Sequence, residues 1–211
     1  GYMQDVDYGS WYAKYMDMAI AHAFFAGYKD THGGLTGLIG PANQLTRFQL
    51  IKIMSELSAG LDMGFGASSC DPDSVDLTSE VDWMEGHWAS GYVQCLYDSS
   101  GDDLIIFDVI EEDLDKGTSP ALRWEVIQFG FEILQAEVTD YSDTEFTFPD
   151  IGDGSGVYDD TSDMIQTAYD LGIITGYPSG DFGPFNTVNR AEMFKIITLF
   201  ESVFSQVDET V

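Results

Sequence analysis

Two distant segments of this chain align without a gap: Gly40-Pro41-Ala42-Asn43-Gln44-Leu45-Thr46-Arg47 and Gly183-Pro184-Phe185-Asn186-Thr187-Val188-Asn189-Arg190 both read G-P-x-N-x-[LV]-x-R. A repeat constrains the fold more than any other feature, because each copy must be one supersecondary unit that buries its apolar face against its neighbours. Each copy runs into a stretch with apolar residues at offsets 3, 4, 6, 7 and 10 from its arginine, the stripe that a helix of 3.6 residues per turn requires. These are Leu50, Ile51, Ile53, Met54 and Leu57 after Arg47, and Met193, Phe194, Ile196, Ile197 and Phe200 after Arg190. A degenerate third copy lies between them, where Thr118-Ser119-Pro120-Ala121-Leu122-Arg123 leads into Val126, Ile127, Phe129, Gly130 and Ile133 at the same offsets.

The repeat extends upstream. Trp11 and Tyr15 precede Arg47 by 36 and 32 positions, and Trp88 and Tyr92 precede Arg123 by 35 and 31. The unit is therefore about 70 residues long: a first helix, a loop and a second helix. In the last unit the first helix is predicted over Thr161 to Leu171, ended by Gly172 as a left-handed cap, with Asp160 in the tryptophan's place. AFFAGY at 23–28 matches GIITGY at 172–177, whereas the middle unit carries DDLIIFDVIEED instead. Unit boundaries are expected in the Gly- and Asp-rich stretches 58–74 and 135–147, giving units 1–62, 63–140 and 141–211.

Charge narrows the partners. Among 211 residues there are 37 acidic against 8 Lys and Arg, a formal charge of −29. Affinity for nucleic acid or an anionic membrane rests on basic residues displacing counter-ions, so neither is an expected partner. No apolar run is long enough to span a bilayer, and the opening GYMQDVDYGSWY lacks the basic and apolar regions of a signal peptide, so any such signal is expected to be already removed. Cys70 and Cys95 are either one bridge or two thiols. His22, His32 and His87 form no HExxH pair and no G-x-S-x-G elbow occurs, so catalysis is not expected.

The repeats resemble the S-layer homology domain, a tandem module of bacterial cell surfaces. FPDI at 148–151 and AYDLGIITGYPSGDFGPFNTVNRAEMFKII at 168–197 are similar to that family's F-x-D-V opening, its G-I-I-x-G-Y loop and its [IV]-T-R-A-E helix start. The first unit keeps Asp5-Val6, WYAKYMDMA at 11–19, Ala26-Gly27-Tyr28 and LTRFQ at 45–49, while the second is recognisable mainly by position. The resemblance implies a mainly α-helical fold in which three helix-loop-helix units form a pseudo-threefold spindle around a central bundle, each unit extending a prong. It implies non-catalytic, non-covalent attachment of an extracellular protein to an anionic cell-wall polysaccharide in grooves between prongs. The family's groove arginine carries over to Arg47, Arg123 and Arg190. Its basic loop position beside the proline is instead Gly40 and Gly183 here.

The residues add their own argument. The chain has three arginines and all occupy one repeat position, in the first turn of a helix, where the helix dipole disfavours a cation. Something must therefore hold them. One reading is a bound acidic sugar, which the planar guanidinium fork suits. The other is an internal salt bridge to Gln49, Glu125 or Glu192, two positions further on in a neighbouring unit; in the first reading these three are expected to contact the polysaccharide beside the arginines. Trp11, Trp88, Tyr28 and Tyr177 are candidate sugar-stacking residues, with repeat packing as the alternative. Lys52 and Lys195 recur five residues after their arginines, and the helical angle assigns them to a solvated face. Asp150, Asp153, Asp159 and Asp160 form an oxygen-rich loop compatible with Ca²⁺ but in no EF-hand register, so the cofactor expectation is none, or Ca²⁺.

Two functions fit these features. In one, the chain anchors to cell-wall polysaccharide. A surface this acidic repels an anionic polymer beyond the contact residues, over a screening distance of about 8 Å at physiological salt, unless salt, divalent cations or a neutral glycan relieves it. In the other, the chain is a structural subunit assembling with copies of itself into a surface layer, sheath or filament, since the three units account for the whole sequence.

Overall fold

The computed structural model describes residues 3–67, 70–141 and 143–205. Residues 68–69 and 142, within the two expected boundary stretches, lie outside the described residues, as do the ends of the first and last expected units. Among the described residues the chain is mainly helical, with isolated bridges and no extended strand. The helices are α1 (Ala13–Ala21), α2 (Arg47–Leu61), α3 (Ser90–Ser100), α4 (Ile105–Ile110), α5 (Leu114–Thr118), α6 (Arg123–Leu134), α7 (Asp159–Asp170) and α8 (Arg190–Phe204), with short 3₁₀ turns at Gly64–Ala67 and Asp82–Met84.

Helices α2, α6 and α8 begin at the three arginines. All fifteen positions of the apolar stripe, five in each helix, are buried in one continuous core. Helix α2 packs against both α6 and α8, and the rings of Phe131 and Phe200 meet edge to face at 5.7 Å across α6 and α8. The three segments leading into these helices pair with one another in a closed cycle. Leu45 N–H donates to Val188 O, Val188 N–H to Ala121 O and Ala121 N–H to Leu45 O, at 2.8–3.0 Å. Each arginine amide extends the cycle, with Arg47 donating to Ser119 O, Arg123 to Asn186 O and Arg190 to Asn43 O. The arginine amides are N–H groups that no helix can satisfy internally, so each helix start is tied to a neighbouring segment through an orphan donor.

The outer helices follow the same cyclic order: α1 packs on α8, α3 on α2 and α7 on α6. Each outer helix thus covers the central helix that precedes it in the chain, and α1 closes the ring on α8. Helix α7 ends as expected, with Gly172 at φ +74°. DDLIIFDVIEED becomes α4 and the turn into α5, with α4 packed against α6. Cys70 and Cys95 are bridged, tying the start of the middle unit to α3.

Candidate functional site

Helix capping explains why the residue two positions after each arginine is Gln or Glu. At α8, the Asn189 side chain accepts from Glu192 N–H at 2.9 Å while the Glu192 carboxylate accepts from Asn189 N–H at 3.0 Å, a complete capping box. Thr46 and Gln49 repeat it at α2. At α6 the leucine at the cap position has no acceptor atom, so only the half in which Glu125 accepts from Leu122 N–H at 3.0 Å survives.

The carboxylates of Glu125 and Glu192 also receive arginines from other central helices. Arg47 grips Glu125 bidentately, with Nε to Oε2 at 2.9 Å and Nη2 to Oε1 at 2.7 Å, and its Nη1 donates to Lys116 O at 3.0 Å. Arg123 Nε donates to Phe182 O at 2.9 Å and its Nη1 meets Glu192 Oε1 at 3.3 Å, with the guanidinium 4.7 Å from the ring centres of both Tyr177 and Phe182. Arg190 Nε donates to Ile39 O at 2.7 Å, and its guanidinium lies about 5 Å from the rings of Phe25 and Tyr28. In every case the accepting carbonyl immediately precedes a glycine, Gly183 and Gly40 in loops and Gly117 within α5. The arginines are therefore held as the salt-bridge reading expects for Arg47 and Arg123. Gln49 carries no charge, and among the described residues Arg190 has no ion pair. Burial pushes its pKa below the ordinary arginine value, and the nearby Tyr28 and Asp5 oppose that shift.

Gly40 and Gly183 precede their prolines for a local reason. Their φ values are +64° and +73°, and a Cβ would lie within 2.7 Å of the Tyr28 or Tyr177 ring and of the Asn43 or Asn186 amide. Asp150, offered above as a metal ligand, anchors the same loop. Its two oxygens accept from Phe182 N–H at 2.8 Å and Gly183 N–H at 2.7 Å, as Asp5 does for Ile39 and Gly40 at 2.9 and 2.7 Å. Asp159 and Asp160 occupy the first turn of α7, where the dipole favours them, and Asp153 is exposed. Among the described residues no group of three or more His, Cys, Asp or Glu is placed to hold a metal, so these four aspartates are not brought together as a cage.

Four of the ten expected polysaccharide contacts do converge. Trp11, projecting from the start of the first unit with 56% of its surface exposed, forms one wall of a cleft of about 240 Å³ whose other walls are Tyr177, Arg123, Glu192 and Lys195. The cleft exists because α1 packs on α8, which brings the tryptophan just before α1 to the last helix. Lys195, expected on a solvated face, lines this cleft, and its Nζ reaches Thr175 Oγ1 at 3.1 Å. Its recurrence with Lys52 five residues after an arginine was the available signal. The angular argument places the lysine relative to its own helix alone, whereas the facing wall is supplied by Trp11, ahead of α1. Lys52 instead pairs with Glu56 at 3.1 Å and sits 5.2 Å from the Tyr92 ring.

The remaining expected contacts are dispersed. Trp88 is 54% exposed and tilts against His87, and burial lowers the pKa of that imidazole. Tyr28 lies under Arg190 and accepts from the Asn43 side chain at 2.9 Å, while Glu125 is wholly buried. Among the described residues no helix is long and apolar enough to cross a membrane. No curated protein matches the chain. The family model of the S-layer homology domain matches residues 150–194, the stretch that supplies Tyr177 and Glu192 to the cleft.

Proposed function

We propose that this chain is a non-catalytic, extracellular attachment module for cell-wall polysaccharide, and that the cleft between Trp11 and α8 seats an acidic sugar. The S-layer homology match gives the class of function. The observation that carries the assignment of the site is convergence: two of only eight basic residues, Arg123 and Lys195, meet an exposed indole in one cleft of a chain with 29 excess negative charges. Glu192 cancels Arg123, leaving Lys195 as the excess positive charge, while Trp11 and Tyr177 offer faces against which sugar C–H groups stack. Arg47, Arg123 and Arg190 act chiefly by locking neighbouring units together.

The three units, 1–62, 63–140 and 141–211, form a pseudo-threefold spindle in this reading. The cyclic hydrogen bonds of the helix starts and the cyclic packing of outer on inner helices support it. The test is co-sedimentation of the purified chain with protein-free cell walls beside a no-wall control. Trp11→Ala and Lys195→Ala should each weaken pelleting by about tenfold or more while leaving the melting temperature unchanged. Unchanged pelleting in both variants would remove the cleft from the account, and pelleting without walls would favour the self-assembling subunit.

A further inference from the structure

The middle unit has no AGY or TGY loop, and the segment that replaces it builds a different cavity. Helix α4 and the turn after it close a cleft of about 360 Å³ against α3 and the 3₁₀ turn at Asp82–Met84. Trp83, Tyr97 and Phe107 line it, all half-buried and packed against the core, with Tyr97 and Phe107 edge to face at 5.9 Å. Five carboxylates, of Glu80, Asp102, Asp108, Glu111 and Glu112, surround these rings, and all five residues are exposed. Among the described residues only Glu111 has a basic partner, Lys116.

We propose that this cleft is a binding site for an aliphatic polyamine, which lays its methylene chain along the aromatic walls and sets its ammonium groups on the carboxylate rim. The combination of walls and rim is what argues for this class. A bare metal ion gains nothing from three aromatic faces, whereas an alkylammonium gains cation–π attraction and apolar contact from them. A single ammonium uses one or two carboxylates, whereas several spaced charges match a rim of five. Volume agrees, since the cleft falls in the ordinary range for small-ligand pockets. The negative field at the walls is already felt by the protein: the Tyr97 phenol is pushed up from its usual pKa by burial and by the charges of Glu80, Asp102 and Glu112. The site shares no residue with the Trp11 cleft, so the proposal does not depend on polysaccharide binding.

Spermidine titrated into the full chain at physiological ionic strength, followed by the indole N–H resonance of Trp83, tests it. Saturable binding is expected, weakened about tenfold by Asp102→Asn/Glu112→Gln and by Phe107→Leu, and left unchanged by the remote pair Asp17→Asn/Glu137→Gln. A thermal melt of each variant checks that the fold persists, and the two rim substitutions fall on exposed side chains outside the core. Absence of binding would overturn the proposal. So would equal loss in the remote pair, or competition by Ca²⁺ at equal charge, because either would reduce the effect to counter-ion attraction.

Discussion

A guanidinium at the first helical position of three helices is electrostatically awkward, and this protein resolves it by handing each arginine to a distant segment of the chain. Arg47 and Glu125 show the consequence most clearly, with side-chain exposures of 14% and 1%. Buried pairs of this kind add little over an apolar replacement, but removing one partner strands the other. Glu125→Ala is therefore expected to lower unfolding free energy by about 3–5 kcal/mol, read from denaturant titration, because it strips Arg47 of its carboxylate and the Leu122 amide of its acceptor. A change near zero would mean that water reaches the pair. Arg190→Ala should likewise destabilise, by about 1–3 kcal/mol, since the buried Ile39 carbonyl loses its donor. Wall binding lost at an unchanged melting temperature would instead make Arg190 a contact residue. Gly183→Ala adds strain at positive φ and a clash with Tyr177 and Asn186, so a loss of about 1–3 kcal/mol is expected in the same assay.

At the level of elements, helix α6 carries the most polar burden of the central three. Glu132, near its end, accepts from Ile105 N–H at 2.8 Å and from the Gln128 side chain at 2.7 Å, so one carboxylate ties α4 to α6. Burial, the largest influence, raises its pKa above the usual glutamate value, against the lowering effect of those two hydrogen bonds. The folded state thus binds this proton more tightly than the unfolded state does. The stabilising contribution is fully present below the unfolded pKa near 4.5 and is lost as pH rises through the raised folded value. Glu132→Gln should flatten the fall in stability over that window, measured as unfolding free energy against pH, and an identical slope in both proteins would refute the assignment. The three central helices and their fifteen buried positions were legible in the sequence because a 3.6-residue stripe declares itself locally. The cap role of Gln49 and Glu192 was open to the same reading, as T/N-x-x-E/Q before an apolar run, but was masked by their proximity to the arginines; that of Glu125 was not, because Leu122 stands at its cap position. Lys195 and Trp11 in one cleft were not legible, because nothing local to either helix says that the first unit closes on the last. The α4 segment was visible as a departure from the repeat, yet its cavity depends on walls supplied by α3 and the turn before it.

For the whole molecule, cyclic closure and charge pull in opposite directions. The cycle of pre-helix segments brings three central helices into one core, while 37 acidic residues against 8 basic ones repel across its surface. Basic residues cannot relieve this efficiently, because Arg47 and Arg123 are already spent on internal carboxylates and Arg190 is buried. Added salt screens the long-range repulsion between exposed carboxylates, reducing its reach from about 30 Å at 0.01 M to about 3 Å at 1 M, and scarcely touches buried pairs in contact. The melting temperature should therefore rise steadily with sodium chloride across that range. Glu125→Ala should remain destabilising by a similar margin at both ends, because the pair it breaks lies inside the screening distance. A melting temperature that falls with salt would show that surface ion pairs outweigh the repulsion. Convergence of wild type and Glu125→Ala at high salt would place the Arg47–Glu125 pair in solvent rather than at the seam between two units.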